Sequence, residues 1–310
     1  MNTETMQAVI CEKYGSPEVL KITQVKKPKP KADEVLVKVM AAAVNSGDVR
    51  VRGLAVDGFL RIVMRFVLGF TKPRKPILGT IVSGVIEEVG KNVRSLKPGD
   101  EVFASTGFNF GAYAEYINIP ENRTIALKPK TSTFEEAAAI LFGGMTATYF
   151  LEKGGIKLKP NLKVLIYGAT GSVGTAAIEI AKHYKAHVTS VCSERGLELA
   201  KKLRSDSIIL YTHQDFTKLP DKFDIIFDAV GKTKAQNCKP LLKKDGKYLT
   251  VGGLDVAKET SEQMEFLKTL FDKGELSANI DRTYLLSDIV EAHRYVDTGR
   301  KKGNVLVRMN

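Results

Sequence analysis

The stretch Lys163-Val-Leu-Ile-Tyr-Gly-Ala-Thr-Gly-Ser-Val-Gly174 constrains this chain more than any other. A short apolar run, Val164 to Tyr167, breaks into Gly168, Gly171 and Gly174. Apolar residues then return at helical spacing, at Ala176, Ala177, Ile180, Ala181 and Tyr184. That order reads as strand, glycine turn, helix. The glycines let the backbone pass close to a pyrophosphate, while the first turn of the helix aims its N–H groups and positive dipole end at the phosphate charge. The ligand expected of such a turn is a dinucleotide; the alternative is a tight strand-to-helix turn that binds nothing.

The flanking sequence bears on that choice. From Phe134 onward the pattern is helical over Glu135–Glu152, with an expected interruption near Gly143-Gly144. Strands at 163–167, 187–192, 207–210, 223–228 and 246–251 then alternate with helices at 173–184, 194–204 and 233–243. This alternation predicts a doubly wound parallel sheet. A helix over Ser261–Lys273 follows, and 275–310 returns to strand and helix pieces ending in Asn304–Arg308. Ahead of Phe134 the chain reads differently. Short strands at 6–12, 19–25, 34–44, 77–89, 101–104 and 111–119 are divided by turns such as Tyr14-Gly-Ser-Pro17 and Lys97-Pro-Gly-Asp100, and by the extended Lys/Pro connector 26–31. That pattern predicts a small barrel-like β domain. Within it, Phe59, Ile62, Val63, Phe66, Val67 and Phe70 keep i, i+3, i+4, i+7 spacing, with Arg61 and Arg65 on the opposite face. The expectation is a helix packed on the β domain, or one that roofs an apolar pocket; a membrane-surface role suits its length less.

A chain of 310 residues accommodates two domains, and 44% apolar with 26% charged residues excludes a disordered or fibrous chain. No apolar run reaches membrane-spanning length. The first fifteen residues lack the basic and apolar regions of a signal peptide. Cys11, Cys192 and Cys238 are scattered and odd in number, which fits reduced thiols and a cytoplasmic location. The net charge of +12 is spread along the whole chain, without an aromatic platform or an arginine-rich tail. Neither nucleic acid nor membrane is therefore expected as a partner, although a positive field would draw in an anionic cofactor and substrate.

An ordered set of motifs now carries a likeness. It comprises Val44-Asn45-Ser-Gly-Asp48 with Arg52-Gly53, Gly84 with Glu88-Val89-Gly90, Pro98-Gly99-Asp100-Glu-Val102, Gly111-Ala-Tyr-Ala-Glu115, Gly144-Met-Thr146-Ala147 and the glycine turn itself. Together they resemble the medium-chain dehydrogenase/reductase superfamily in its zinc-free quinone oxidoreductase branch. The resemblance implies an α/β fold: a GroES-like β domain from 1–128 and 276–310, and a Rossmann domain with a doubly wound parallel sheet from 129–275. It also implies a cleft between them with the nicotinamide at its base. Carried over residue by residue, Asn45 and Thr146 stand near the nicotinamide, and Gly168, Ala169, Thr170, Gly171, Ser172, Val173 and Gly174 hold the pyrophosphate. The strand end Asp228-Ala-Val230-Gly231, with Gly252 and Gly253, lines the cofactor, and Asn304 returns to the nicotinamide side. Loop capping would account equally for Asn45 and Asp48, and a bond to its own helix backbone for Thr146.

Zinc-dependent relatives need a Cys, a His and a further Cys or acid in the catalytic half, where this chain has Cys11 as its one cysteine and His293 as its one histidine. No metal is expected, which suits acceptors already activated by conjugation. The strand 187–192 ends in Ser193, followed by Glu194 and Arg195. A small neutral residue beside a guanidinium leaves room and charge for a 2′-phosphate, so NADP(H) is expected, with Arg195 and Tyr211 as the recognising pair. Glu194 would reverse the preference if it faced the ribose. Where some quinone oxidoreductases carry a tyrosine two positions after the loop aspartate, this chain has Arg50, a donor to a developing enolate but no proton source. Relatives usually insert a helix and a sixth strand after the position of Gly253; the short spacer here leads us to expect a monomer or an altered dimer. The function expected is hydride transfer from NADPH to a quinone or an apolar α,β-unsaturated carbonyl. The alternatives are an alcohol dehydrogenase-type carbonyl reductase, and a non-catalytic NADPH-binding sensor or RNA-binding protein.

Overall fold

The computed structural model describes residues 4–55 and 58–309, with residues 58–60 as backbone only. In chain order the elements are β1 (Thr5–Cys11), β2 (Leu20–Lys26), β3 (Glu34–Ala43), α1 (Ser46–Gly53), α2 (Gly58–Leu68), β4 (Ile81–Val89), β5 (Glu101–Ser105), β6 (Tyr116–Pro120), β7 (Ile125–Leu127) and α3 (Phe134–Gly154). Then come β8 (Lys163–Tyr167), α4 (Ser172–His183), β9 (His187–Cys192), α5 (Leu197–Lys202), β10 (Ser207–Leu210), β11 (Phe223–Asp228), α6 (Ala235–Cys238), β12 (Leu242–Thr250) and α7 (Ser261–Asp272). The chain closes with β13 (Ile280–Leu285), α8 (Ile289–Asp297) and β14 (Asn304–Arg308). It divides into two compact units, one of residues up to Leu141 together with those from Ile280, the other Phe142–Asn279.

In the first unit β3 is the hub. One edge pairs antiparallel with β4, while the other takes β6 along Glu34–Lys38 and then β14 along Ala41–Ala43. The curled sheet runs β13-β14-β3-β4-β5-β7, and β1 and β2 form a separate hairpin. Alternation sends Val35, Val37 and Val39 into a core with Val82, Ile86, Val102 and Tyr113. In the second unit the order β10-β9-β8-β11-β12 is parallel throughout. The chain adds strands outward from β8 in one sense to β10 and then crosses to β11 on the other side of β8, and at such a switch in strand order the loops at the strand ends part and leave room for a ligand.

Four expectations are corrected. Helix α3 runs unbroken through Gly143-Gly144. A Cβ at Gly143 would lie 2.2 Å from the Ser172 carbonyl oxygen, and one at Gly144 would meet Leu267 at 2.7 Å. These glycines therefore admit α4 and α7 at close range and do not break the helix. The helix expected over 233–243 shrinks to α6, because Pro240 has no N–H to continue it and β12 starts at Leu242. The helix expected at 194–204 is a 3-10 turn, Glu194–Gly196, followed by the short α5.

The fourth correction concerns α2. The side chain of Phe59 lies outside the described residues, but the rest of the apolar stripe points away from the β core: Ile62, Val63, Phe66, Val67 and Phe70 are all exposed. The helix is seated instead through Leu68, Met64 and a hydrogen bond from the Tyr14 hydroxyl to the Gly69 carbonyl (2.8 Å). Each large apolar side chain left in water forgoes about 1.5–3 kcal/mol of burial. An outward stripe of this size is not explained by folding alone.

Candidate active site

Apolar β8 delivers the chain into Gly168, whose positive φ of 76° suits glycine and turns the backbone towards α4. A Cβ at Gly174 would lie 2.2 Å from the Gly168 carbonyl oxygen, so this glycine is needed for the turn to close on itself. Gly171 is different. It has an ordinary φ of −81°, caps α4 without any side-chain cap, and a Cβ there would find only the Gly168 oxygen, at 3.7 Å. The chain's own packing leaves that space open, next to the positive end of a helix dipole. A pyrophosphate fits this cradle in both room and charge.

Neighbouring loops of the same unit gather around the turn. A Cβ at Gly168 would strike Val230 at 2.5 Å, and one at Gly196 would meet Thr170 at 2.6 Å. Gly231 and Gly252 pack backbone to backbone, leaving 2.6 Å between a Cβ at Gly231 and the Cα of Gly252. The register Leu210↔Cys192 and the hydrogen bond from the Tyr211 N–H to the Cys192 carbonyl (3.1 Å) set Tyr211 beside Ser193. Tyr211 also lines an open cleft of about 410 Å³ with Tyr167, Phe216, His213 and Asp215, which Ser193 and Arg195 do not line. Arg195 is exposed and, among the described residues, forms no ion pair, while the Glu194 carboxylate lies 3.9 Å from His213 Nε2. Thr146 sits on α3 one turn beyond Gly143 and donates to the Phe142 carbonyl (2.8 Å). Gly253 is exposed at the start of the loop 253–259.

Asp228, which the resemblance sets in the strand end that lines the cofactor, has a structural part that the sequence did not disclose. Its buried carboxylate accepts the N–H groups of Val230 (3.1 Å), Gly231 (2.8 Å) and Thr233 (2.9 Å), together with the Thr250 hydroxyl (3.3 Å). One side chain thus fixes the loop after β11 and ties it to β12. Its signal, an aspartate at a strand end followed by small residues, is the mark of an Asx turn.

In the first unit, Asn45 closes β3 and caps α1. Its Oδ1 accepts the N–H of Gly47 (2.7 Å) and Asp48 (3.1 Å), and Asp48 reaches back to the Asn45 N–H (3.0 Å), a reciprocal capping box. The Asn45 Nδ2 donates to Thr80 Oγ1 (3.0 Å). The hydrogen bond from the Val44 N–H to the Val305 carbonyl (2.8 Å) extends the β3–β14 register and sets buried Asn304 opposite Asn45. The structure therefore brings these two asparagines together and gives Asn45 and Thr146 the local hydrogen bonds that capping and helix back-bonding require. Arg50 is exposed on α1.

Behind Asn45 lies a network that the sequence left unread. Asp48 is fully buried and accepts the Tyr113 hydroxyl (2.9 Å) and the Thr80 hydroxyl (3.4 Å). Burial lifts its carboxyl to about 7, against the hydrogen bonds from Asn45, Tyr113 and Thr80 that favour the anion. The Tyr113 hydroxyl is in turn pushed well up by burial and by the neighbouring carboxylate. Tyr113 also meets the ring of buried His293 edge to face at 5.5 Å. Burial drives that imidazole down to about 3, so it is neutral at physiological pH. Among the described residues no group of three or more His, Cys, Asp or Glu is placed to hold a metal ion, and no helix is long and apolar enough to cross a membrane.

Comparison with known proteins agrees with this architecture. Residues 31–130 match the family model of the alcohol dehydrogenase GroES-like domain, and residues 203–307 match that of the zinc-binding dehydrogenase. The chain is 33% identical to a 2-methylene-furan-3-one reductase of Solanum lycopersicum, over 95% of this chain and 76% of the relative. It is 30% identical to an NADPH-dependent alkenal/one oxidoreductase, chloroplastic, of Arabidopsis thaliana, over 97% of this chain and 79% of that one. The solved quinone oxidoreductase of Coxiella burnetii superposes with a TM-score of 0.87 at 26% identity, covering 99% of this chain and all of the other.

Proposed function

The chain belongs to the medium-chain dehydrogenase/reductase superfamily, in its quinone oxidoreductase-like branch, and on that premise we propose that it reduces a quinone or an α,β-unsaturated carbonyl with NADPH, without zinc. The observation that carries the reading is the cradle at Gly171: open space and an uncapped helix end in a turn that is otherwise packed to contact. In this reading Gly168 to Gly174 hold the pyrophosphate, and Val230, Gly231, Gly252 and Gly253 line the path of the cofactor. Ser193, Arg195 and Tyr211 take the 2′-phosphate: a serine adds no charge against it, and a free guanidinium pairs well with phosphate oxygens. Asn45, Asn304 and Thr146 face the nicotinamide.

Bound NADPH supplies the hydride. The chain's own residues orient the acceptor and exclude water. Asn45 is held rigid for this by its cap and by Thr80. Arg50 donates to the oxygen on which negative charge develops, and solvent delivers the proton, because a guanidinium keeps its own at neutral pH. The zinc-free reading is supported by residue supply: Cys11 lies in β1, and His293 is buried against Tyr113. The three buried thiols support a reducing compartment such as the cytoplasm.

The test is oxidation of NADPH and of NADH by the chelator-treated protein, with a quinone and an enone offered in parallel. Turnover with NADPH is the expected result, and the faster acceptor assigns the substrate class. Tight NADPH binding with no turnover on either acceptor would replace this reading with that of a cofactor-binding sensor.

A further inference from the structure

The outward stripe of α2 is continuous with other exposed apolar groups. Ile62, Val67 and Phe70 are each more than half exposed, and Phe66 is 59% exposed, its ring edge to face with that of Phe70 at 4.9 Å. Phe108 is 60% exposed, on the turn whose Asn109 accepts Lys75 Nζ (2.5 Å), which places it by the chain that leaves the helix. The helix cannot fold this face inward by a small roll, because Leu68, Met64 and the Tyr14 hydroxyl pin its other side.

The charge around the stripe selects its occupant. From Gly58 to Ile86 the sequence contains Arg61, Arg65, Lys72, Arg74 and Lys75 and not one aspartate or glutamate. Arg61 and Arg65 lie on the opposite face of the helix, but Lys72, Arg74 and Lys75, on the segment that continues from the stripe, are exposed. A second copy of this chain would oppose cation to cation across the contact, and a neutral apolar partner would strip those cations of water without compensation. An anionic, laterally extended surface with an apolar interior satisfies both features. Apolar side chains on one face of a short helix enter such an interface by about 5–10 Å, and flanking lysines and arginines meet the headgroups.

We propose that residues 61–75, with Phe108, dock on an anionic phospholipid bilayer. The sequence alone argued against a membrane partner from the short length of the helix and the even spread of charge; the structure shows that the stripe faces outward. The proposal stands independently of the redox reading. It would bring an acceptor dissolved in lipid within reach of the enzyme.

The experiment is co-sedimentation of the full-length protein with vesicles of phosphatidylcholine alone, and of phosphatidylcholine with about one-third phosphatidylglycerol. The expected result is partition to the anionic vesicles alone, weakened at about 0.5 M salt, where charges are screened within a few ångströms. Phe66→Ser and Phe70→Ser each weaken partition about tenfold or more while the melting temperature stays close to native, since each ring is more than half exposed in the fold. Lys72→Ser with Lys75→Ser provides an independent arm, at about fivefold per cation. Equal binding to both vesicle types, absence of binding, or partition unchanged in the serine variants would overturn the proposal. So would a dimer of the free protein that Phe66→Ser dissolves.

Discussion

Arg195 stands exposed just past β9, without an ion pair among the described residues, beside a serine and one residue after a glutamate drawn towards His213. A charged hydrogen bond to phosphate contributes about 1.5–3 kcal/mol. Arg195→Ala is therefore expected to raise the KM for NADPH about 10- to 100-fold and to leave that for NADH within twofold or so, as steady-state kinetics would record. If Glu194 governs the site, the same variant would leave NADPH untouched. Two glycines of the same turn separate just as cleanly. Gly174→Ala sets a methyl group 2.2 Å from a carbonyl oxygen and should cost about 1–3 kcal/mol in denaturant unfolding. Gly171→Ala, with open space and an ordinary φ, should change stability by no more than about 0.5 kcal/mol yet weaken NADPH binding about tenfold or more. The sequence made the glycines legible as a set because their spacing is local. It could not separate the glycine the fold needs from the one the ligand needs, since that difference lies in where neighbouring loops come to rest. Asp48, Thr80 and Tyr113 stayed hidden for a related reason: their hydrogen bonds span separations of 32 and 65 residues.

Helix α3 shows competing effects at the scale of an element. Replacing glycine by alanine within a helix gains about 1 kcal/mol of intrinsic propensity. At Gly143 the new methyl group would sit 2.2 Å from the Ser172 carbonyl oxygen, at the start of α4. Overpacking of this severity costs about 1–3 kcal/mol, so the clash outweighs the propensity. Gly143→Ala should accordingly lower the melting temperature, and NADPH affinity should fall with it because α4 carries the cradle. Strands β8 to β11 fell where the alternation put them, each being an apolar run bounded by turn residues. Helix α2 was found in position, but of its two expected placements the one that packs the stripe on the β core does not hold. Periodicity tells which residues share a face of a helix; it does not tell which face the rest of the fold accepts.

For the molecule as a whole, two buried carboxyls set a dependence on pH. Burial lifts Asp48 and Glu179 each to about 7, against accepted hydrogen bonds that pull the other way. A carboxyl raised on folding binds its proton more tightly in the native chain than in the unfolded one. Its contribution is then fully present in acid and is lost as pH rises from the ordinary carboxylate range towards 7. Between pH 5 and 7 each group should remove about 2 kcal/mol of stability, which thermal melting across that window would register. Asp48→Asn should flatten the slope even where it lowers the absolute stability.

The five-stranded sheet ends at β12, and with no sixth strand beyond it among the described residues that border presents edge backbone donors and acceptors to a passing strand. The residues standing there are Lys243, Lys244, Asp245 and Lys247. Lys243 pairs with Asp224 (2.7 Å) and Lys247 Nζ donates to the Lys153 carbonyl (3.1 Å), yet all four charged side chains are exposed, and charge along an edge strand makes edge-to-edge joining of two sheets costly. The lysines thus act as a guard rail that keeps concentrated protein from zipping into ribbons. Replacing Lys244 and Lys247 by threonine, which favours strands and carries no charge, should shift the native mass upward with concentration, as light scattering would follow.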